Sequence, residues 1–297
     1  MMPCLVRISI RRGSSPKDWK SGAASSNSSV SIVEISSLTV SKLAQLTLIT
    51  YSLRVKVLII ALAGLIVGII NGIAGGAASL TFPILVAFGL NPVVATATNS
   101  LGVWAANPFA LIAQRRKVRT QLHHFLPLIA ASSVGTIIGS IALITFPVHI
   151  FEKVVPLLLL VATLTMFIPL NPSSHTMGNR TEWWSIFASG IYNGYFGPGQ
   201  GIIVIATLIR SRDFAHVNIG KTLVVGISAF FSSAIYLFGG VVSWRYMAPL
   251  AIGCATGGWA AGYLVGKIDI RYFRALVIFV GLTSSAWLMS KYWFAIS

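Results

Sequence analysis

A glycine-laced apolar motif occurs twice in this chain, as Gly68-Ile69-Ile70-Asn71-Gly72-Ile73-Ala74-Gly75 and as Gly190-Ile191-Tyr192-Asn193-Gly194-Tyr195-Phe196-Gly197. The copies lie 122 positions apart, and the same offset pairs Leu101 with Leu223, Phe109 with Phe231, Pro127 with Pro249, Gly135 with Gly257 and Phe151 with Phe273. Such agreement without a gap marks a duplicated unit. Duplication around a glycine-interrupted apolar segment is the pattern of a secondary transporter, in which broken helices from two repeats build one site near the bilayer midplane.

Composition places that unit in a membrane. Hydrophobic residues are 55% of the chain and charged residues 9%, against roughly 25% charged in soluble domains. Mean hydropathy is +0.82. A net charge of +16 could suggest a nucleic-acid partner, but the cations fall in the N-terminal tail and the short loops between apolar runs, where positive residues orient spans. No aromatic-interleaved basic stretch or known nucleic-acid motif accompanies them, so no nucleic-acid partner is expected. Cys4 lies in the polar tail and Cys254 in an apolar span. That separation excludes an internal disulfide, and Cys254 reads as a small packed side chain.

Residues 1–54 are rich in Ser and Gly with scattered cations, the composition of a polar, disordered extension. A transit peptide or a mis-assigned start codon would look alike here. Residues 55–297 form a polytopic membrane transport domain, with repeat 1 over 55–176 and repeat 2 over 177–297. Eight apolar segments are expected, at about 57–88, 93–113, 124–144, 151–170, 183–209, 215–238, 246–266 and 272–293, each long enough for the roughly 20 residues a span needs. The fold class is therefore all-α: about eight transmembrane helices in two four-segment repeats. The first and fifth segments are too long for one straight helix across the hydrocarbon, and Gly75-Gly76 and Gly197-Pro198-Gly199 are the expected breaks. The basic loop Arg115–Arg119 argues for a cytoplasmic N-terminus, whereas cations of the second half such as Lys267, Arg271 and Arg274 argue against simple parallel repeats. Eight crossings are the favoured count, with three per repeat, and inverted halves, if the broken segments dip in and return.

A broken helix leaves unpaired N–H groups at the start of its second half, near Ala77–Leu80 and Gly199–Ile202. Helix N-termini carry roughly half a positive charge and attract anions. Asn71 and Asn193 precede the breaks by about one turn and can donate to a ligand or tie helices together. Lys221, seven residues into its span, sits at the repeat position of Asn99. An ionisable group at that depth is either functional or snorkelling to an interface. Gln200, Thr98 and Thr222 are weaker candidates for the same pocket. Other glycines at four-residue spacing, Gly64, Gly68, Gly72 and Gly76 and then Gly258, Gly262 and Gly266, read first as helix-packing faces. The acids beyond residue 54, Glu152, Glu182, Asp213 and Asp269, fall in or beside loops, so no buried carboxylate is expected for an ion relay. There is no zinc-ligand pattern, Walker sequence or nucleophile elbow, so neither an enzyme nor a cofactor or metal is expected.

The segment Gly68–Pro83, the run Ala95-Thr96-Ala97-Thr98-Asn99, the segment Gly190–Gly201, Lys221 and Gly239-Gly240-Val241-Val242-Ser243-Trp244 together resemble the sulfite exporter TauE/SafE family, also called the toluene-sulfonate uptake permease family. The resemblance covers about residues 57–293. It departs from the family at Gly75-Gly76-Ala77-Ala78, which is poorer in glycine, and at Pro198 and Gln200. The resemblance implies a multi-pass permease of the bacterial inner membrane that carries sulfite or organosulfonates. Its site would be formed by Asn71, Gly75, Gly76, Asn99, Asn193, Gly197, Gly199 and Lys221. The partners expected are a small anionic substrate and the lipid bilayer, with homo-oligomerisation left open. Export fits the missing coupling carboxylate, because an inside-negative potential drives an anion outward. An anion channel and a non-transporting membrane subunit or assembly factor are the rival readings.

Overall fold

The computed structural model describes residues 51, 53–72, 76–113, 115–167, 179–209, 214–264 and 270–294. Among them the secondary structure is helical throughout. Helix α1 covers Leu53–Gly72. It is followed by α2 (Ala78–Ala87), α3 (Pro92–Trp104), α4 (Ala106–Ala113), α5 (Arg115–Thr145), α6 (Val148–Leu164), α7 (Asn179–Tyr195), α8 (Gln200–Leu208), α9 (Phe214–Phe238), α10 (Trp244–Leu264) and α11 (Ile270–Met289). Five stretches are long and apolar enough to cross a membrane: Leu53–Gly72, Arg119–Thr145, Val148–Phe167, His216–Phe238 and Ala275–Trp293. Large apolar side chains along them face outward, among them Leu62, Val134, Ile138, Val161 and Phe279. In water such a surface would be a liability; facing lipid tails it carries no penalty. The protein is a multi-pass membrane protein.

Local chemistry explains where the elements end. At the first motif, Gly76, with φ +80°, and Ala77 stand outside a helix immediately before α2 opens at Ala78. The expected break at the second motif falls between Tyr195 and Gln200, with Gly197 at φ +95° and Gly199 at φ +97°. Side chains other than glycine rarely accept that left-handed backbone. Helix α3 begins with Asn91, whose side chain accepts from the Val93 N–H at 2.9 Å, and with Pro92 in the first helical position, a regular start signal. The expected segment 93–113 is two helices, because Pro108 lacks an N–H and its ring crowds the carbonyl four residues earlier, at Trp104. The basic stretch 115–119, expected as a loop, is instead the first turn and more of α5. Arg, Lys and Gln are good helix formers, so α5 continues past the hydrocarbon boundary that hydropathy detects.

The sequence offset recurs in the packing. Ala78 and Gln200, Pro92 and Phe214, and Val148 and Ile270 open helices at equivalent positions. A methyl group at Gly68 would strike the backbone of Cys254, and one at Gly190 would strike that of Ser132. Gly257 lies in the same way against Leu65 and Ile69, and Gly135 against Phe187 and Ile191. Helix α1 therefore packs on α10, and α7 packs on α5, with backbones in direct approach as small residues allow in lipid. The Trp104 indole N–H donates to the carbonyl of Gly226 at 3.0 Å, across a separation of 122 residues. The bond joins α3 to α9. The expectation for residues 1–54 concerns positions that, apart from Tyr51, Leu53 and Arg54, lie outside the described residues.

Candidate functional site

Both breaks open onto one cavity of about 50 Å³. It is lined by Asn71, Gly76, Ala78 and Asn99 from the first half and by Asn193, Gly197, Gly199 and Gln200 from the second, with Ser100, Trp104 and Asn107 between them. A buried water needs roughly 10–15 Å³ on this measure, so the space matches a few waters or one compact oxyanion. Lys221 lines a second, smaller cavity of about 10 Å³ with Asn71, Gly72, Ala106, Asn107, Gly201, Thr222 and Val225. Asn71, Asn107, Gly201 and Val225 line both. Among the described lining residues Lys221 alone is charged.

Six of the eight residues expected from sequence, Asn71, Gly76, Asn99, Asn193, Gly197 and Gly199, thus border the larger cavity, and Lys221 borders the adjoining one. Gly75 lies outside the described residues. Lys221 does not snorkel: it is 4% exposed, and its Nζ donates to the Asn71 carbonyl at 3.2 Å. That carbonyl lies one residue before the end of the described stretch of α1. The ammonium has three donors, so two remain for other acceptors.

The helix ends meeting here differ in sign. The starts of α2 and α8 bring positive dipole ends to the cavity, while α1 and α7 bring negative ones. Side-chain donors reach carbonyls at or before these ends. Lys221 covers Asn71, the Tyr236 hydroxyl donates to the Gly194 carbonyl, and the Thr136 hydroxyl donates to Gly190 at 3.1 Å. The Tyr192 hydroxyl reaches the Pro198 carbonyl at 2.7 Å, pinning the connection between α7 and α8. The N–H ends, the amides and the ammonium together suit the cavity to an anion.

The asparagines divide by role. Asn99 is 1% exposed, and both ends of its amide are engaged. Its Oδ1 accepts from the Thr81 hydroxyl at 2.5 Å, and its Nδ2 donates to the Ala78 carbonyl at 2.9 Å. It therefore fastens α3 to the start of α2. Asn99→Leu should lower stability by about 1–3 kcal/mol, because it leaves buried partners unsatisfied. Thermal unfolding in detergent measures this, and an unchanged midpoint would show that the tie is dispensable. Among the described residues the Asn193 side chain makes one long contact, from Nδ2 to the Thr136 hydroxyl at 3.5 Å, and has more capacity left for a ligand.

Of the weaker candidates, Gln200 and Thr222 line the cavities, but the Thr98 hydroxyl accepts from the Ser243 N–H at 3.0 Å and serves the start of α10. Sequence reasoning passed over Ser100, Trp104 and Asn107. Asn107 in an otherwise apolar stretch was the available signal. Glu182 corrects one expectation: it is 4% exposed in the first turn of α7, so a buried carboxylate does exist. It stands eleven residues before Asn193, roughly 16 Å along the helix, away from the cavity. The first turn of a helix favours a carboxylate there.

Comparison with known proteins gives membrane transporters. The chain is 25% identical over 234 residues to the probable membrane transporter protein YfcA of Escherichia coli K12, covering 76% of this chain and 86% of that one. It is 24% identical to a probable membrane transporter protein of Haemophilus influenzae, covering 75% and 90%, and 23% identical to the probable membrane transporter protein ORF9 of a Sinorhizobium species, covering 74% and 87%. No solved structure matches it. The family model for the sulfite exporter TauE/SafE matches residues 60–288. With paired helix breaks, a membrane-facing surface and that match over most of its length, the chain belongs to the sulfite exporter TauE/SafE family of membrane transporters.

Proposed function

We propose that this protein is a permease that moves small anions, sulfite and organosulfonates foremost, out of the cell across the cytoplasmic membrane. The observation that carries this reading is the convergence of two helix breaks and Lys221 on adjoining cavities whose described lining holds no carboxylate. The organisation that goes with it is eight crossings in two four-segment repeats, with α1–α2 and α7–α8 as the broken members and residues 1–54 as an appended tail. Transport alternates the access of one midplane site between the two faces, as in other repeat-built carriers. No covalent chemistry is required for this role, and the protein acts as a carrier.

Direction follows from charge. An inside-negative potential drives an anion outward by about 2.3 kcal/mol per charge per 100 mV, and export then needs no coupling ion. A channel would use the same cavity without alternation, and an assembly subunit would not use it at all. Counterflow in proteoliposomes separates the three. Unlabelled sulfite inside should accelerate entry of labelled sulfite severalfold for a carrier. Equal rates with and without internal sulfite would indicate a channel, and no entry of any sulfur oxyanion would remove the transport reading.

A further inference from the structure

Gln200 brings to the cavity lining a side-chain amide with one end engaged and one end not. It opens α8, is 1% exposed and lines the larger cavity. Its Nε2 donates to the Ser132 hydroxyl on α5 at 3.1 Å, while its Oε1 is buried with no hydrogen-bond partner. Ser132 is itself fully buried. The equivalent position of the first repeat is Ala78, so only one side of the site carries this acceptor. A buried acceptor without a donor is unfavourable, and a proton-bearing ligand that reaches it would satisfy it. The rest of the site sets the ligand's charge: Lys221 supplies a single full positive charge, and the helix N-termini add partial ones.

We infer that Gln200 makes the site selective for a singly charged oxyanion that still carries one acidic proton, hydrogensulfite and not its dianion or an alkyl sulfonate. This rests on the anion-permease reading and refines it. The charged oxygens of such a ligand face Lys221 and the N–H ends, and its proton is donated to Gln200 Oε1. A sulfonate has the same charge but no proton to give, and its alkyl group must also fit a cavity of about 50 Å³. The opposite amide orientation, with the NH2 group toward the cavity and Oε1 on Ser132, predicts the reverse order of preference.

The test uses full-length protein in proteoliposomes and compares labelled sulfite with methanesulfonate as the pH is stepped through the second ionisation of sulfite. Lys221 on α9, Tyr192 on α7 and Tyr236 on α9 are the protein's own titratable groups around the site, and the methanesulfonate profile reports any effect of theirs. The ratio of sulfite to methanesulfonate flux should be at least tenfold at low pH and fall about tenfold per pH unit above that ionisation. Gln200→Leu should bring the low-pH ratio toward one, and Ser132→Ala, which frees the amide but keeps it, should lower the ratio less. Wild-type flux that follows the dianion, or methanesulfonate carried as fast as hydrogensulfite, would overturn the inference while leaving the permease reading intact. So would a Gln200→Leu protein that slows both anions equally. Absence of flux for both anions would overturn the permease reading and this inference with it.

Discussion

Lys221→Met should slow anion transport about 10- to 100-fold while leaving the protein folded. The factor corresponds to one charge-assisted hydrogen bond to the ligand, about 1.5–3 kcal/mol. Methionine keeps the length and bulk of the side chain in a site that is 4% exposed. Two changes in stability then oppose each other: the Asn71 carbonyl at 3.2 Å loses its donor, and a desolvated charge is removed from the interior. Lys221→Arg tests geometry apart from charge. A guanidinium is a planar fork that does not substitute for a compact ammonium in a tight site, so partial flux is expected. The readout is the initial rate of sulfite transport normalised to folded protein. A Lys221→Met protein that transports at the wild-type rate would assign this lysine to α1 alone, as a fixed partner of the Asn71 carbonyl.

The second large effect is on folding. Gly68→Val and Gly190→Val should each prevent accumulation of folded protein, or lower its unfolding midpoint by ten degrees or more. At both positions the new side chain meets backbone, that of Cys254 on α10 and of Ser132 on α5 respectively. Backbone cannot turn aside as a flexible side chain can, so the helices must separate. Overpacking of this kind costs about 1–3 kcal/mol where neighbours can adjust and more where they cannot. Separation also forfeits the close packing that holds helices together in lipid. Gly89→Asn is the control, since Gly89 has φ +95° with open space around it, and asparagine tolerates that conformation better than most residues. Expression and thermal unfolding in detergent provide the comparison. Wild-type stability in either valine variant would contradict the close approach of α1 to α10 or of α7 to α5.

How far the chain could be read in advance depended on the kind of signal. The breaks were legible because Gly76, Gly197 and Gly199 do what few other residues can, and Pro198 adds a position without an N–H. The depth of Lys221 was legible because a lone cation inside an apolar run has few alternatives. The division of 93–113 was less visible, although Pro108 carried it, because hydropathy continues unchanged across Trp104–Ala106. The start of α5 was misplaced for a related reason: hydropathy measures the hydrocarbon, whereas Arg115 to Gln121 continue a helix beyond it. The roles of single amides were not legible at all. Asn99 and Asn193 look alike in sequence, yet one is committed to Thr81 and Ala78 and the other has spare capacity. Those partners are set by how α2, α3, α5 and α7 pack. The same holds for Gln200, whose significance lies in Ser132, 68 residues away.

The central claim is that an anion crosses the membrane through the site shared by the two breaks. The most direct measurement is sulfite flux in proteoliposomes under an imposed membrane potential, with wild-type protein, Lys221→Met and Asn193→Ala side by side. Wild-type flux should grow with a potential that favours anion movement, and both variants should reduce it at least tenfold at equal amounts of folded protein. Potential-driven flux of equal size in all three proteins would contradict the placement of the site.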